Sequence, residues 1–474
     1  MEQRPLTRRK VLAGGLVIAG SAALGSARTA AAVGNTDTRD ETGRRRPRGE
    51  RVIVVGAGMA GLAAARAMHD DGFDVIVLEA RTRIGGRTWT STKLGPAVDL
   101  GASWIEGTTG NPVVELAREA KARTFATDAQ NAVVYLRSRR VANGEVVRAR
   151  SRIEGLLEDA AAWVEEESDV DLPLIGAIEK ATGAWLPDES ELVRWMGRSL
   201  LPQEYGAEAS RLSAWWYDEG KERLGDDLLI RGGYVQLARH LARGLDVRLR
   251  SPVTRIEHDS RRVAVRAGGR THSADRCVVT VPLPILQRKK IAFDPPLPTR
   301  MSTSLDRLGM GLLDKVVLRF DKPFWPAGVQ VLGVADDAAL RGAAPEYYVL
   351  TKIVGAPILM GLVGGDVARQ LENRGERAQV AASLRALRSA FGERTVPDPV
   401  ASVATSWAKD PYTYGSYSYL PVGATPDDRR ELAKPISDRL VLAGEATHVD
   451  YSSSVQGAVM SGRRAARQLG AAAD

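Results

Sequence analysis

The stretch RVIVVGAGMAGLAAARAMHDDGFDVIVLEARTRIGGRT, residues 51–88, decides the fold of this chain. It begins with the β-branched run 52–55, which is typical of a buried strand. Three glycines follow, Gly56, Gly58 and Gly61, and lead into an alanine-rich segment with strong helix propensity. This order of strand, glycine turn and helix is the context in which a GxGxxG motif binds a dinucleotide.

Each glycine has its own physical role in this motif. Gly56 permits a tight turn, Gly58 lets the backbone approach a pyrophosphate, and Gly61 lets the helix pack against the strand. A second strand over 74–78 ends at Glu79, which lies 21 residues beyond Gly58, where a carboxylate binds a ribose hydroxyl. Because an acidic residue there disfavours a 2′-phosphate, the sequence predicts a dinucleotide other than NADP.

A second glycine-rich segment, residues 440–469, lies near the other end of the chain. Directly after the ribose carboxylate, the first segment continues as Arg81-x-x-x-Gly85-Gly86-Arg87. Its arginines can neutralise a pyrophosphate, and its paired glycines let backbone pass close to an isoalloxazine ring. A ligand bound by both ends of a 474-residue chain must be long, which predicts flavin adenine dinucleotide (FAD).

With these motifs, the chain resembles the flavin-dependent amine oxidases, which include monoamine oxidases, polyamine oxidases and lysine-specific histone demethylases. The polyamine oxidase type is the most similar. The resemblance extends through the ordered segments 99–107, 227–234, 308–320, 407–419 and 444–462. It implies an α/β fold of two domains, in which a Rossmann-like FAD-binding domain is interleaved with an α+β substrate domain.

The length exceeds that of a single hydrophobic core, so more than one domain is expected. The resemblance implies that the FAD-binding domain is formed by residues 51–106, 227–302 and 400–470. The substrate domain is then formed by residues 107–226 and 303–399.

The N-terminal residues differ in composition from the rest of the chain. Thr7-Arg8-Arg9-Lys10-Val11-Leu12 opens an apolar stretch that ends in the small residues 30–32. This pattern predicts a twin-arginine signal peptide over 1–32, followed by a disordered linker over 33–50. We expect export by the twin-arginine machinery to the cell envelope or the medium, without stable membrane association afterwards. An uncleaved membrane anchor is the alternative.

Composition disfavours several other classes of protein. The net charge is +8, but the basic residues are scattered and lack interleaved aromatics, which argues against nucleic-acid binding. The five histidines are dispersed, so no metal site is predicted. The single cysteine, Cys277, permits no internal disulfide.

The resemblance also implies a reaction. An amine would be oxidised at the carbon next to its nitrogen, giving an imine that water hydrolyses to an aldehyde and a smaller amine. O2 would be reduced to H2O2. The expected partners are therefore a small-molecule amine, preferably a polyamine, and O2.

Lys315 and Tyr417 are the catalytic candidates that the resemblance supplies. Lys315 matches the family's active-site lysine, which holds a water near the flavin, and its ammonium would stabilise negative charge there. An inward lysine on a strand is otherwise unusual. Tyr417 matches one wall of an aromatic sandwich whose ring face attracts a cation. The alternative for both residues is an ordinary position on a strand.

Trp104, Glu106 and Ser454 are the substrate-binding candidates. Trp104 lies in the segment that the resemblance places beside the flavin ring. Glu106 matches a glutamate of a plant polyamine oxidase type and would pair with a distal ammonium, unless it is a surface residue. Ser454 stands where monoamine oxidases carry the second tyrosine of the sandwich, so the aromatic cage is half open. Further acidic residues either extend an acidic entrance or form a solvated face: Glu204, Asp218, Glu219, Asp226 and Asp227.

The remaining cofactor contacts are implied by the resemblance alone. They are Val253 near the adenine, Trp407 near the flavin, and Gly444, Glu445 and Val455 in the C-terminal motif. That motif lacks the cysteine to which monoamine oxidases attach their flavin, so we predict that FAD is bound non-covalently.

Two other functions stay open. An L-amino-acid oxidase on the same scaffold would need an arginine to bind the carboxylate, such as Arg194 or Arg198, and Glu106 would oppose that substrate. A catalytically inactive flavoprotein that serves binding or assembly is the other, although Lys315 and Tyr417 argue against it.

Overall fold

The computed structural model describes residues 49–129, 131–183, 189–335 and 343–472. The predicted signal peptide and residues 33–48 of the predicted linker lie outside these ranges. Glu50, the last residue of that linker, forms an ion pair in which its Oε2 lies 2.7 Å from Arg276 Nε. The folded part of the chain therefore includes the end of the predicted linker.

The glycine motif belongs to a sheet of five parallel strands. Their spatial order is Asp246–Arg248, Asp74–Leu78, Arg51–Val55, Arg276–Val279 and Leu440–Leu442. These strands come from the three segments that the sequence assigns to FAD binding. The chain thus brings residues near both of its ends into one sheet.

Alternate side chains of the strand Arg51–Val55 enter different cores. Val52 and Val54 pack on one face of the sheet, and Ile53 and Val55 pack on the other. Burial on both faces explains why the strand is a continuous apolar run rather than an alternating one.

Two helices pack closely on the first of these faces. They are Met59–Asp70, which follows the glycine turn, and Val455–Gln468, which follows the C-terminal motif. A Cβ added at Gly462 would lie 2.1 Å from Ala60 O, so glycine is needed where the two helices touch. The two glycine-rich segments of the sequence are therefore in direct contact.

A larger sheet of seven strands forms the second part of the molecule. Its spatial order is Ala401–Ala404, Leu313–Arg319, Ile358–Gly364, Glu346–Val349, Val331–Ala335, Ala132–Leu136 and Arg139–Arg140. Neighbouring strands are antiparallel except Val331–Ala335 and Ala132–Leu136, which are parallel. The predicted boundary at residue 400 precedes one further strand of this sheet, because Ala401–Ala404 pairs with Leu313–Arg319.

The strand Leu313–Arg319 divides its side chains between two cores. Val316 and Leu318 pack into the core that includes the helix Glu376–Phe391, whereas Val317 packs with residues of the FAD-binding part. Because side chains alternate along a strand, Lys315 shares the face of Val317. This alternation directs the lysine toward the FAD-binding part.

Smaller elements complete the described fold. A four-stranded sheet contains Arg270–Ala274, Val263–Ala267, Val253–His258 and Ala292–Asp294, and a three-stranded sheet contains Trp104–Ile105, Leu228–Ile230 and Thr124–Ala126. Two strand pairs are Gly309–Met310 with Ser418–Tyr419 and Thr90–Ser91 with Val98–Asp99. The other helices are Pro112–Glu119, Asn143–Glu167, Leu174–Thr182, Glu191–Tyr205, Val235–Leu241, Leu283–Gln287, Thr299–Arg307, Thr351–Val354, Gly365–Arg374 and Pro426–Ala433, with a 3-10 turn at Glu445–Thr447. In the ranges that the structure describes, no helix is both long and apolar enough to span a bilayer.

Candidate functional site

A cavity of about 470 Å³ is lined by residues of both large sheets and of the loops that join them. Every site residue predicted from the sequence, except Gly61, lines this cavity: Gly56, Gly58, Glu79, Arg81, Gly86, Arg87, Trp104, Glu106, Val253, Lys315, Trp407, Tyr417, Gly444, Glu445, Ser454 and Val455. Residues that are distant in sequence therefore meet around a single space.

The glycine turn closes one end of the cavity. Gly56 has a φ of +104°, which favours glycine, and a Cβ at Gly61 would lie 1.9 Å from Gly56 O. Gly61 thus allows the helix to begin against the turn and does not itself line the cavity. A Cβ at Gly58 would meet no atom within 4 Å, and Gly58 caps the helix Met59–Asp70 without a side-chain hydrogen bond. The first N–H groups of this helix are therefore donors for an anionic ligand.

Glu79 lies beside the glycine turn, at the end of the strand Asp74–Leu78. One carboxylate oxygen accepts a hydrogen bond from Ala57 N at 2.7 Å, and the other accepts one from Arg81 N at 2.8 Å. These bonds fix the side chain, which is 6% exposed. Because a carboxylate can accept about four hydrogen bonds, Glu79 retains capacity for a ribose hydroxyl.

The two arginines expected at the pyrophosphate have carboxylate partners in the structure. Arg81 forms a bidentate ion pair with Asp410, with N–O distances of 2.6 and 2.7 Å. Arg87 Nη1 lies 2.8 Å from a carboxylate oxygen of Glu445. Their charges are balanced within the protein, while both side chains also line the cavity, and their contact with a pyrophosphate stays a prediction. The motif could not reveal this, because the carboxylates lie 329 and 358 residues away in sequence.

Lys315 lies at the other end of the cavity and is 4% exposed. Its Nζ donates hydrogen bonds to Gly101 O and Ser103 Oγ, both at 2.5 Å, and to Asp99 O at 3.3 Å. Three acceptors around one nitrogen match the three protons of an ammonium. The nitrogen also lies 5.6 Å from the centre of the Trp104 ring. Lys315 therefore points inward rather than outward from its strand.

Burial and the charge of Asp99 together set the protonation of Lys315. Burial lowers the pKa of Lys315 to about 8, and the negative charge of Asp99 acts in the opposite direction. Burial also raises the pKa of Asp99, while hydrogen bonds from Thr90 and Tyr234 lower it. A lysine with a pKa so close to neutrality can hold or release a proton at Nζ.

A buried polar network fixes the backbone of Lys315. Lys315 N donates to Thr405 Oγ1 at 2.8 Å, and Thr405 Oγ1 donates to Asp314 Oδ1 at 2.6 Å. The same oxygen of Asp314 accepts a hydrogen bond from Trp407 N at 3.1 Å. Burial and the neighbouring Glu372 raise the pKa of Asp314 well above its usual range. The network links the position of Trp407, which lines the cavity, to that of Lys315.

Two aromatic side chains line the same end of the cavity. The Tyr417 hydroxyl donates to Gln203 O at 2.8 Å, which fixes the orientation of the ring. Trp104 packs edge-on against Tyr348, with 4.7 Å between the ring centres. Each ring is held by contacts outside the cavity, so its position does not depend on a ligand.

Ser454 has a structural role that the sequence interpretation missed. Its hydroxyl accepts a hydrogen bond from Gly457 N at 3.0 Å and donates one to Tyr451 O at 2.8 Å. Ser454 is therefore the N-cap of the helix Val455–Gln468, a position that favours serine. Ser454 also lines the cavity, so its role in substrate binding stays a prediction beside this capping role.

Glu106 lines the cavity but is not a free carboxylate. Arg223 Nη1 lies 3.2 Å from Glu106 Oε2. The predicted acidic entrance is partly formed around this pair: burial raises the pKa of Glu204 to about 7 and that of Asp227 to about 6, and the charge of Glu106 raises both. Glu106 lines the cavity, and the other carboxylates and Arg223 lie behind it, outside the cavity lining.

The arginines proposed for an amino-acid carboxylate lie elsewhere. Arg194 Nη1 donates to Glu189 O at 2.5 Å. Arg198 lines a separate cavity of about 320 Å³. Arg223 is closer to the larger cavity, because it pairs with Glu106, which lines that cavity.

The amino-acid sequence matches the family described as flavin containing amine oxidoreductase over residues 59–470. The chain belongs to this family. It is 32% identical to polyamine oxidase 4 of Oryza sativa subsp. japonica, over 88% of this chain and 87% of that protein. It is 34% identical to lysine-specific histone demethylase 1 homolog 2 of Arabidopsis thaliana, over 88% of this chain and 58% of that protein. The chain spans about half the length of most of the demethylase-type relatives that it matches.

The fold of this family member is also found in a solved structure of a putrescine oxidase bound to putrescine. The TM-score is 0.72, the identity is 22%, and the match covers 88% of this chain and 98% of that one. At this identity the likeness concerns the fold alone. It confirms the two-domain α/β architecture that the sequence implied.

FAD is the cofactor of this flavin-containing family member, and the residues of the cavity fit it. The cavity extends from Gly58 and Glu79 to Lys315 and Trp407, so a long ligand reaches both ends. The N–H groups after Gly58 would hold the pyrophosphate, and Glu79 would hold the ribose. Cys277 is fully buried and is not among the residues that line the cavity; the non-covalent binding of FAD stays a prediction.

Three side chains at the site were overlooked in the sequence. They are Ser103, which accepts from Lys315, Asp410, which pairs with Arg81, and Arg223, which pairs with Glu106. Ser103 lies in the segment 99–107 that carries the resemblance and could have been selected there. Asp410 and Arg223 carry no local pattern that predicts their partners.

Proposed function

We propose that the protein oxidises a diamine or polyamine at the carbon next to nitrogen, with O2 as the electron acceptor. The observation that carries this proposal is the buried Lys315, which shares one cavity with the Tyr417 ring and Glu106. Bound FAD supplies the two-electron acceptor for the bond to be broken. The net products are an imine, which water hydrolyses to an aldehyde and an amine, and H2O2.

The residues of the chain position the substrate and control charge. Lys315, in its ammonium form, places positive charge at the inner end of the cavity, where negative charge develops during the reaction. The Tyr417 ring, held through its hydroxyl, presents a fixed surface that orients the amine. Both side chains are preorganised, so substrate binding does not have to order them.

The charge of the cavity supports a substrate that carries more than one ammonium. Glu106 lines the cavity, and behind it Asp227 accepts a hydrogen bond from Gly107 N at 2.8 Å. Together with Glu204, these carboxylates outnumber Arg223, and their charges raise its pKa. A second ammonium, separated from the reacting nitrogen by an alkyl chain, would be attracted to this group. Two similar proteins carry names of the same substrate class, polyamine oxidase and putrescine oxidase.

Peroxide formation over a panel of substrates tests the proposal. The panel contains putrescine, spermidine, spermine, their acetylated forms and common L-amino acids. We expect peroxide from a diamine or polyamine, and the same amine should bleach the flavin under nitrogen. Bleaching by no amine would contradict the proposal and would favour a flavoprotein that serves binding or assembly.

Oxidation of L-amino acids is a second candidate, because Arg223 lies next to Glu106, which lines the cavity, and a guanidinium can bind a carboxylate. Its present partner, Glu106, argues against this use. Peroxide from an L-amino acid, without peroxide from any di- or polyamine, would favour the second candidate.

We also propose export by the twin-arginine route, which is supported by residues 7–12 and by the small residues 30–32. Mass spectrometry of the secreted protein would show an N-terminus close to residue 33. An intact N-terminus in a protein confined to the cytoplasm would contradict this proposal.

A further inference from the structure

The loop of residues 221–227, called here the Arg223 loop, lies between the segment that follows Glu106 and the turn that precedes Ser453, two residues that line the cavity. Its Leu224 O accepts a hydrogen bond from Thr109 N at 2.9 Å, next to the segment that carries Glu106. At its other end, Lys221 N donates to Asp450 O at 2.8 Å, in the turn that precedes the C-terminal helix. The backbone of the loop is therefore held at both ends.

The approach to Glu106 is close-packed as well. A Cβ at Gly107 would lie 2.8 Å from the carbonyl carbon of Arg223 and 2.9 Å from Leu224 O. Gly107 has a φ of +66°, so both its conformation and its surroundings favour glycine. This close contact sets the Arg223 side chain beside the Glu106 side chain.

The guanidinium of Arg223 is held by weaker contacts than its backbone. Nη1 lies 3.2 Å from Glu106 Oε2, and Nη2 donates a long hydrogen bond of 3.4 Å to Ser452 O. The Arg223 Nε atom is buried and has no hydrogen-bond partner among the described residues. With side chains 26% and 41% exposed, Arg223 and Glu106 are within reach of water. Glu106 Oε2 is likewise buried and accepts no hydrogen bond among the described residues, so the pair rests on a charge contact of 3.2 Å alone.

The surroundings of the pair carry excess negative charge. The charges of Glu106, Glu204 and Asp227 all raise the pKa of Arg223, and Glu106 has the largest effect. Burial raises the pKa of Glu204 to about 7, so this carboxylate is ionised above that pH. A second cation placed near Glu106 would be stabilised by the same carboxylates that stabilise Arg223.

We propose that Arg223 is a specificity-determining residue that competes with the distal ammonium of the substrate for Glu106. This inference rests on the proposed function. An amine with one cationic group reaches the Lys315 end without needing Glu106. A diamine must exchange its second ammonium for the guanidinium, so Arg223 selectively raises the KM for diamines.

The competition can be measured with two substrates of equal chain length, putrescine and butan-1-amine, which differ only in the second amine. Arg223→Met removes the charge and keeps an unbranched side chain. We expect the ratio of the putrescine KM to the butan-1-amine KM to fall roughly tenfold in Arg223→Met. Assays at a pH between about 7 and 8 keep Glu204 largely ionised while Lys315 stays largely an ammonium.

Arg223→Lys is the matched control, because it retains a positive charge at a site with a single, non-bidentate ion pair. We expect its KM ratio to stay within about twofold of the wild-type ratio. In a Glu106→Gln background, Arg223→Met should have little further effect on the ratio, because the contested carboxylate is absent. Flavin content and the melting temperature of each variant report whether the fold is intact.

Three results would overturn the inference. The first is a KM ratio that is unchanged or increased in Arg223→Met. The second is a roughly tenfold fall of the KM ratio when Arg223→Met is added to Glu106→Gln, and the third is a loss of L-amino-acid oxidation as the main effect of Arg223→Met. If the wild-type protein oxidises neither amine, the proposed function fails and this inference fails with it. If it oxidises both and the ratio does not respond to Arg223, only this inference fails.

Discussion

The two ends of the cavity are built differently. At the cofactor end, near Gly58 and Glu79, a ligand meets backbone groups and one carboxylate, all within residues 56–79. At the amine end, near Lys315 and Tyr417, it meets side chains that come from distant segments of the chain. Gly58, the helix N-terminus after it and Glu79 form a continuous unit of strand, turn and helix. Lys315, by contrast, donates to Ser103, which is 212 residues away in sequence.

The two ends therefore bind their ligands through different groups. The cofactor end uses backbone N–H groups, which almost every residue has, so glycine is favoured there because it has no side chain to fill the space. The amine end depends on charge and on rings whose positions are set by a second layer of contacts, such as Thr405 behind Lys315 and Gln203 behind Tyr417. Substitutions at the cofactor end should consequently impair folding or FAD binding, whereas substitutions at the amine end should impair the reaction.

The largest effect is expected for Gly61→Ala at the cofactor end. The new Cβ would lie 1.9 Å from Gly56 O and 2.8 Å from Thr280 Oγ1, so the turn and the helix could not both keep their positions. We expect little or no soluble, FAD-containing protein, measured by soluble yield and flavin absorbance. A Gly61→Ala variant with the yield and flavin content of the wild-type protein would contradict the close contact between Gly61 and Gly56 O.

Gly58→Ala is the matched control for that substitution. Gly58 has a φ of −76°, which alanine adopts readily, and its Cβ would meet no protein atom within 4 Å. This variant should fold but bind FAD at least about tenfold more weakly, because the methyl group occupies space next to the pyrophosphate. Unchanged FAD affinity, measured by titration of the apoprotein, would show that the turn does not approach the phosphates.

An intermediate effect is expected for Lys315→Met at the amine end. The variant should retain FAD but reoxidise its reduced flavin at least about tenfold more slowly in O2, since a preorganised positive charge is lost. In the wild-type protein the rate should fall as the pH rises through about 8, because Lys315 is an ammonium below its pKa and a neutral amine above it. Stopped-flow reoxidation over a pH series measures both effects.

Lys322→Met provides the control, since Lys322 is exposed in the loop that follows the same strand. It should reoxidise at the wild-type rate and with the wild-type pH dependence. Lys315→Met should lose that dependence near pH 8. A rate that responds to neither substitution would remove Lys315 from the reaction with O2.

The smallest effect is expected for Ser454→Ala, at the start of the C-terminal helix. Loss of the N-cap of Val455–Gln468 should cost about 1 kcal/mol, seen as a melting temperature lower by a few degrees. Ser454→Asn should restore stability, because asparagine also caps helices. A change in substrate preference without a change in melting temperature would favour the original substrate-binding role.

Sequence reasoning was most successful where function follows from local order. The strand predicted over 74–78, the carboxylate at its end and the glycine turn all lie where the sequence placed them, because neighbouring residues determine such a unit. The family resemblance extended this to Lys315 and Tyr417, which do line the same cavity. It did not find the ion-pair partners of Arg81 and Glu106, which are Asp410 and Arg223.

The amino-acid sequence alone determined the strand–turn–helix unit, the family and the long dinucleotide ligand. These follow from the positions and spacing of glycines within short segments of the chain. The folded chain alone assigned the partners of the charged side chains: Arg81 to Asp410, Glu106 to Arg223, and Lys315 to three acceptors between Asp99 and Ser103. The physical reason is that an ion pair depends on distance in space. When the two residues of an ion pair are hundreds of residues apart or lie on different sheets, no local sequence pattern identifies them as partners.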